Sequence, residues 1–314
     1  MSSQSIALCL TYSFTITSVL KDFTMNLVSV ERELISLERI YSLFQYKQEL
    51  TPNDFYQYQL QKKIKNEQTP TIKQIEIKNL EFTYKNQFQK AIKDMNLRIK
   101  QGEKIFILGR TGCGKTTILN ILLRLYDHYK GQIIINEKDI KQIPLLKLRE
   151  KIGVVPQHGF IFKGSIRQNI DPLCQYSDYK IFSILGQLGI QNLSRQFKPL
   201  DYDIEQNGTN LSQGEKQIIN FVRLLIDEQK QILFLDESTA NLDKNYQQKF
   251  QDVILNQKNK IIFTISHQLE NISKYDKCLV LDNGQVKAFQ NYQELLNNNF
   301  EKEKNFILQL FSRQ

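Results

Sequence analysis

Residues 109–116 read GRTGCGKT and fit the pattern G-x-x-x-x-G-K-[ST]. Glycines in such a run let backbone N–H groups turn inward around phosphate oxygens, and a following helix adds positive potential at its N-terminus. In that chemistry Lys115 neutralises the β- and γ-phosphates of a nucleotide, and the Thr116 hydroxyl ligates Mg²⁺. The candidate cradle is Gly109, Arg110, Thr111, Gly112, Cys113, Gly114 and Lys115, with Thr116 and Thr117 on the helix side. A second group lies at 232–237, ILFLDE. There an apolar run ends in Asp236, a candidate Mg²⁺ ligand, and Glu237 follows, placed to polarise an attacking water. A strand ending in an acidic turn is common on its own; paired with the phosphate loop, it points to nucleotide chemistry.

These groups need strands to hold them. KIFIL (104–108) directly precedes the phosphate loop, and residues 115–125 have helical character, the context the loop requires. QILFLD (231–236) and KIIFTI (260–265) are continuous apolar runs, the mark of parallel strands buried on both faces. GQIIIN and KIGVVP add further strands. IEIKNLEFTY and MNLRIKQGEKIFIL alternate around a Gln101-Gly102 turn and read as antiparallel strands. CLVLDNGQVKAF reads as a hairpin through Asn283-Gly284. Residues 164–228 read as predominantly helical, and the tail 292–312 as helical. Lys115 and Asp236 are 121 positions apart, more than a minimal phosphate-loop domain needs, so the helical stretch is an insertion.

Within that insertion, LSQGEKQ (211–217) combines Ser212 with Glu215 ahead of the apolar residues Ile218, Ile219, Phe221, Val222 and Leu225. By itself this is a capping box on an amphipathic helix. With the phosphate loop before it and Asp236 about 20 residues after it, the set resembles the nucleotide-binding domain of ATP-binding cassette (ABC) proteins. The resemblance covers roughly Ile75 to Leu296, with six motifs in order. It implies that Tyr84 stacks on adenine and that Gln157 of VVPQ touches Mg²⁺ and a transport domain. It also implies that Ser212 and Gly214 meet the γ-phosphate of a nucleotide held by a partner. Asp243 of STANLD takes the D-loop position, and His267 of TISHQL contacts the γ-phosphate. ILGRTGCGKTT, GSIRQNIDP, GTNLSQGEKQ and YDKCLVLDNGQV resemble the second cassette of subfamily C, multidrug resistance-associated-type exporters, and Glu237 agrees with that cassette. Three positions depart from the pattern: Glu215 replaces the usual Gln of the signature, Gln268 stands where Arg is common, and Cys113 replaces a small residue. A carboxylate at 215 threatens a partner's phosphates.

The fold class implied is α/β, a phosphate-loop NTPase of ABC type. It has a parallel αβ core, an antiparallel β subdomain and a helical subdomain at about 158–228, preceded by a long N-terminal helix. Catalytic roles fall to Glu237 and His267, metal contacts to Thr116, Gln157 and Asp236, and the cofactors are ATP and Mg²⁺. The partners are a second nucleotide-binding domain, packed head to tail, and the transmembrane domains of an exporter of small molecules. The runner-up is a soluble ABC ATPase acting on nucleic acid or ribosomes, but such proteins usually carry two cassettes per chain. A regulatory module without turnover fits poorly with Glu237 and His267.

The chain has 314 residues, 41% of them hydrophobic, with 42 Lys and Arg against 33 Asp and Glu. The lysines are scattered among Gln and Asn, which reads as solvated surface, and no nucleic-acid partner is expected. Four cysteines fit neither a zinc site nor a disulfide framework, which suits a reducing compartment. Residues 5–20, SIALCLTYSFTITSVL, are mostly apolar and uncharged and would make a helix of about 24 Å, against a bilayer core of about 30 Å. Val30, Leu34, Leu37, Tyr41 and Phe44 continue at helical spacing. The resemblance extends to this region, including VSVER at 28–32. On that basis residues 1–46 are the remnant of a last transmembrane helix with its cytosolic extension, 47–74 a linker and 75–314 the nucleotide-binding domain. The protein would lie at a membrane, with that domain on the cytoplasmic face.

Overall fold

The computed structural model describes residues 3–46, 48–51, 54–56, 58–59, 71–85, 87–157, 159–190, 199–236, 244–266 and 271–297. Glu237, Asp243 and His267 lie outside the described residues, as does most of the tail expected to be helical. The chain divides into two units, Met1–Gln68 and Thr69–Gln314.

In the first unit, Ser3–Gln45 forms one α-helix of 43 residues, none of them buried. It is long and apolar enough to cross a membrane by length and composition. As expected, it runs through Lys21 and Asp22 without a break. Its hydroxyls bond back along the helix: Thr11 to the Ala7 carbonyl at 2.9 Å, Ser13 to Cys9 at 2.9 Å, Thr15 to Thr11 at 2.8 Å and Thr17 to Ser13 at 2.8 Å.

The second unit is built on two main sheets. Strands β1 (Gln74–Phe82), β2 (Ile92–Lys100), β4 (Lys130–Ile135) and β5 (Lys138–Asp139) form an antiparallel sheet in the order β2-β1-β4-β5. The other sheet has six strands in the order β12-β11-β3-β10-β9-β6. They are β3 (Lys104–Gly109), β6 (Ile152–Val155), β9 (Ile232–Asp236), β10 (Ile261–Ile265), β11 (Lys277–Asp282) and β12 (Gln285–Gln290). Parallel pairing joins β11, β3, β10, β9 and β6, and only β12 runs antiparallel. All five residues of β10 are buried, Thr264 among them, as are the first four of β9, as strands covered on both faces require. Phe234 and Phe263 stack across β9 and β10 with centroids 4.4 Å apart.

Two expectations need correction. The strands on either side of Gln101-Gly102 do not pair: β2 lies in the four-stranded sheet and β3 in the six-stranded one. The turn carries the chain from one sheet to the other, and alternation in sequence marks a strand without naming its partner. The stretch 164–228 is also less helical than its sequence suggests. It holds the helices Ile166–Ile170, Asp178–Gln187 and Gln213–Ile226. It also holds a small strand pair, β7 (Gly164–Ser165) with β8 (Asp203–Ile204). Helix Gln213–Ile226 packs its apolar face into a second hydrophobic cluster with Ile181, Ile184 and Leu185.

Candidate nucleotide site

β3 runs in the middle of the parallel sheet and ends on Gly109, and the chain turns through 110–114 into the helix Lys115–Leu122. Gly114 caps that helix with φ 107° and ψ 8°. This backbone region is closed to most side chains, and a Cβ there would stand 2.7 Å from the Ala91 carbonyl oxygen. No acidic residue occupies the first turn, so the helix N-terminus keeps its positive potential. Lys115 Nζ donates to the carbonyl oxygens of Gly109 at 2.7 Å and Arg110 at 3.0 Å. A phosphate oxygen carries a negative charge that neither carbonyl has, so it is the stronger partner for the ammonium.

Beside the loop opens a cleft of about 730 Å³, a size suited to a small-molecule ligand. Its walls bring together Tyr84, Thr111, Gly112, Gly114, Lys115, Thr116, Thr117, Gln157 and Asp236. Tyr84 is held there: its hydroxyl shares a hydrogen bond with Thr117 Oγ1 at 2.9 Å. Its ring meets Phe82 and Tyr126 edge-on at 4.9 and 5.4 Å. Thr116, Gln157 and Asp236 put a hydroxyl, an amide and one carboxylate on the same cleft. That donor set suits Mg²⁺, which takes one or two carboxylates beside substrate phosphates and keeps several waters.

Cys113 turns the other way. It is 4% exposed and belongs to the main hydrophobic cluster, and its N–H donates to the Arg110 carbonyl at 3.2 Å. Burial pushes its thiol pKa up, opposed by the Lys115 charge. Its side chain is therefore a packing group beneath the loop. Gly109 and Arg110 shape the loop through the carbonyls that hold Lys115.

Ser212 and Gly214 do not line the cleft. Ser212 caps Gln213–Ile226 in a complete capping box: its Oγ accepts the Glu215 N–H at 3.2 Å, and Glu215 Oε2 accepts the Ser212 N–H at 2.8 Å. The carboxylate that seemed a threat to a ligand is thus folded back onto the helix cap. The Ser212 hydroxyl proton stays available to an outside acceptor. Behind the cap, Arg223 donates to the carbonyls of Asn169 at 2.6 Å and Phe160 at 3.0 Å, which fixes this helix to the segment after Gln157.

The sequence reading missed one wall. Lys90, Ala91, Lys93, Asn283 and Gly284 also border the cleft. Asn283-Gly284 was legible as a turn, but its approach to the phosphate loop is a tertiary fact.

A family profile described as "ABC transporter" matches residues 92–240. The chain carries an ABC transporter domain. The metal resistance protein YCF1 of Saccharomyces cerevisiae is 34% identical over 94% of this chain and 19% of its own length. ABC transporter C family member 14 of Dictyostelium discoideum is 37% identical over 71% of this chain and 17% of its own. The chain therefore spans less than a fifth of either relative. A solved bacterial Atm1-family ABC exporter with ATP bound shares the fold, with a TM-score of 0.74 and 24% identity over 91% of this chain and 48% of the other. An ABC domain is an ATP-binding domain. Residues 109–116, Gln157, residues 211–217 and Asp236 all fall within the matched stretch 92–240.

Proposed function

We propose that the chain is the nucleotide-binding domain of a subfamily C-like exporter, which binds and hydrolyses ATP to move a small molecule across a membrane. The observation that carries this reading is the division of its motifs. Thr111, Gly112, Gly114, Lys115, Thr116 and Thr117 share one cleft with Asp236, Gln157 and Tyr84, while the Ser212 helix N-terminus stands outside it. A second cassette packed head to tail supplies the missing helix N-terminus to each cleft, and closure of the pair completes both sites. Tyr84 stacks on the base, the loop and Lys115 hold the phosphates, and His267 contacts the γ-phosphate. Thr116, Gln157 and Asp236 would hold Mg²⁺, which would supply positive charge beside the phosphate oxygens. Glu237 accepts a proton from the water that attacks the γ-phosphorus. The bond to the β–γ bridging oxygen breaks, and ADP leaves with that oxygen. Loss of the γ-phosphate releases the pair and resets the transmembrane domains. Residues 1–46 serve as the last transmembrane helix and its cytosolic extension, 47–74 as the linker and 75–314 as the cassette on the cytoplasmic side.

The test is a pair of variants assayed for ATP binding and phosphate release in the presence of a partner cassette. Lys115→Ala loses ATP binding. Glu237→Gln binds ATP and stops turnover; turnover at the normal rate would remove Glu237 from the general-base role.

A further inference from the structure

The cleft has two walls that belong to different sheets. Tyr84 follows β1 and Ala91 precedes β2 in the antiparallel sheet, whereas the phosphate loop follows β3 in the parallel one. The turn between β11 and β12 touches both. Gly284 N–H donates to the Cys113 carbonyl at 3.2 Å, inside the phosphate loop. The Gly284 carbonyl accepts the Lys93 N–H at 2.7 Å, at the start of β2. Asn283 and Gly284 have φ of 48° and 79°, the left-handed pair that a tight hairpin turn demands. A Cβ on Gly284 would lie 2.6 Å from the Ala91 carbonyl oxygen and 3.3 Å from Ile92 Cα. The same Ala91 carbonyl limits Gly114, the cap of the phosphate-loop helix. The Ala91 carbonyl is therefore wedged between a glycine of the loop and a glycine of the turn, while Gly284 itself is bonded to the loop at Cys113 and to β2 at Lys93.

From this geometry we infer that the Asn283–Gly284 turn is a positioning element that sets the spacing between the base-side wall, Tyr84 and Ala91, and the phosphate loop. It touches a nucleotide's fit through Ala91, Lys93 and Cys113 rather than by chemistry of its own. A side chain at 284 meets the Ala91 carbonyl oxygen at 2.6 Å and must push that wall relative to the phosphate loop. A ligand that spans both walls is sensitive to that shift. One that fills only the phosphate loop is not.

The inference rests on the nucleotide reading of the cleft, so the experiment separates the two. The full chain in detergent is titrated with ATP and with inorganic tripolyphosphate. Gly284→Ala should weaken ATP about tenfold, the scale of a modest packing clash, and leave tripolyphosphate nearly unchanged. Asn283→Ala, which loosens the turn without adding bulk against Ala91, should show the same split at about threefold, and Asn283→Gly should restore ATP affinity. Gly186→Ala, at a helical glycine with open space around it, is the folding control. Equal weakening of both ligands, or of neither, overturns the spacing role; if Gly284→Ala does not fold, the Asn283 pair decides by the same criterion. Unchanged ATP binding by Lys115→Ala overturns the nucleotide site itself.

Discussion

Replacing Glu215 with alanine takes away two stabilising contributions at the start of Gln213–Ile226. One is the bond from the Ser212 N–H to Oε2 at 2.8 Å; the other is a negative charge in the first helical turn. A charge at a helix N-terminus is worth about 0.3–1 kcal/mol at an exposed site, and a typical exposed cap bond adds a similar amount, so the loss should be about 1 kcal/mol. Ser212→Ala removes the reciprocal bond at 3.2 Å and should also cost about 1 kcal/mol. Each bond holds the partner that makes the other, so the double variant should lose less than the sum. Glu215→Gln keeps an acceptor at the third helical position but loses the charge, and should melt between the parent and the alanine variant. For a unit of this size, 1 kcal/mol moves the melting temperature by about 2–4 °C. The chain has no Trp and 14 Tyr, so far-ultraviolet circular dichroism and tyrosine emission are the natural probes. An alanine variant that melts with the parent would refute the reasoning. It would mean that the carboxylate is not held on the cap and is free to face a partner's phosphates.

Three further outcomes are expected. Cys174 is exposed while Cys113 and Cys278 are buried, so a maleimide should label Cys174 in the folded chain and the other two only after denaturation; rapid labelling of Cys113 would place its side chain in the cleft instead. Burial pushes the Cys278 thiol from its ordinary 9.0 up to about 12. The unfolded chain therefore loses that proton first, and the contribution is intact below pH 9 and lost progressively from 9 to 12, by at most about 1.4 kcal/mol per pH unit. Cys278→Ala should flatten that part of the alkaline stability profile. Tyr84→Ala should weaken ATP by the scale of base–aromatic stacking, about 1–3 kcal/mol, while Tyr84→Phe should keep the stack and lose only the Thr117 bond; equal effects in isothermal titration would assign the role to the hydroxyl.

The parts legible in the sequence were those with a local signal. The phosphate loop between KIFIL and a helix, the apolar strand ending in Asp236 and the Asn283-Gly284 hairpin each carry their geometry in a few adjacent residues. What stayed hidden was partnership. Nothing local in MNLRIKQGEKIFIL states that its two strands enter different sheets. The two-residue strands β7 and β8 are too short to show any period. The inward turn of Cys113 follows from packing against residues far along the chain. Lys93 and Gly284 reach the cleft only because the β11–β12 hairpin lies against β2. Glu215 was correctly seen as part of a capping box. Its carboxylate became a concern only through the family comparison, and the 2.8 Å bond to Ser212 restores the local reading.

The hydroxyl pattern of Ser3–Gln45 changes how that helix should be counted. By composition, Thr11, Ser13, Thr15 and Thr17 are polar interruptions in an apolar run. In the structure each hydroxyl donates to the carbonyl four residues earlier, within the helix itself. The cost of moving a hydroxyl into hydrocarbon comes chiefly from a hydrogen bond left unmade, and here that bond travels with the segment. To its surroundings the helix is greasier than its letters, and its effective apolar length exceeds what a residue-by-residue scale assigns.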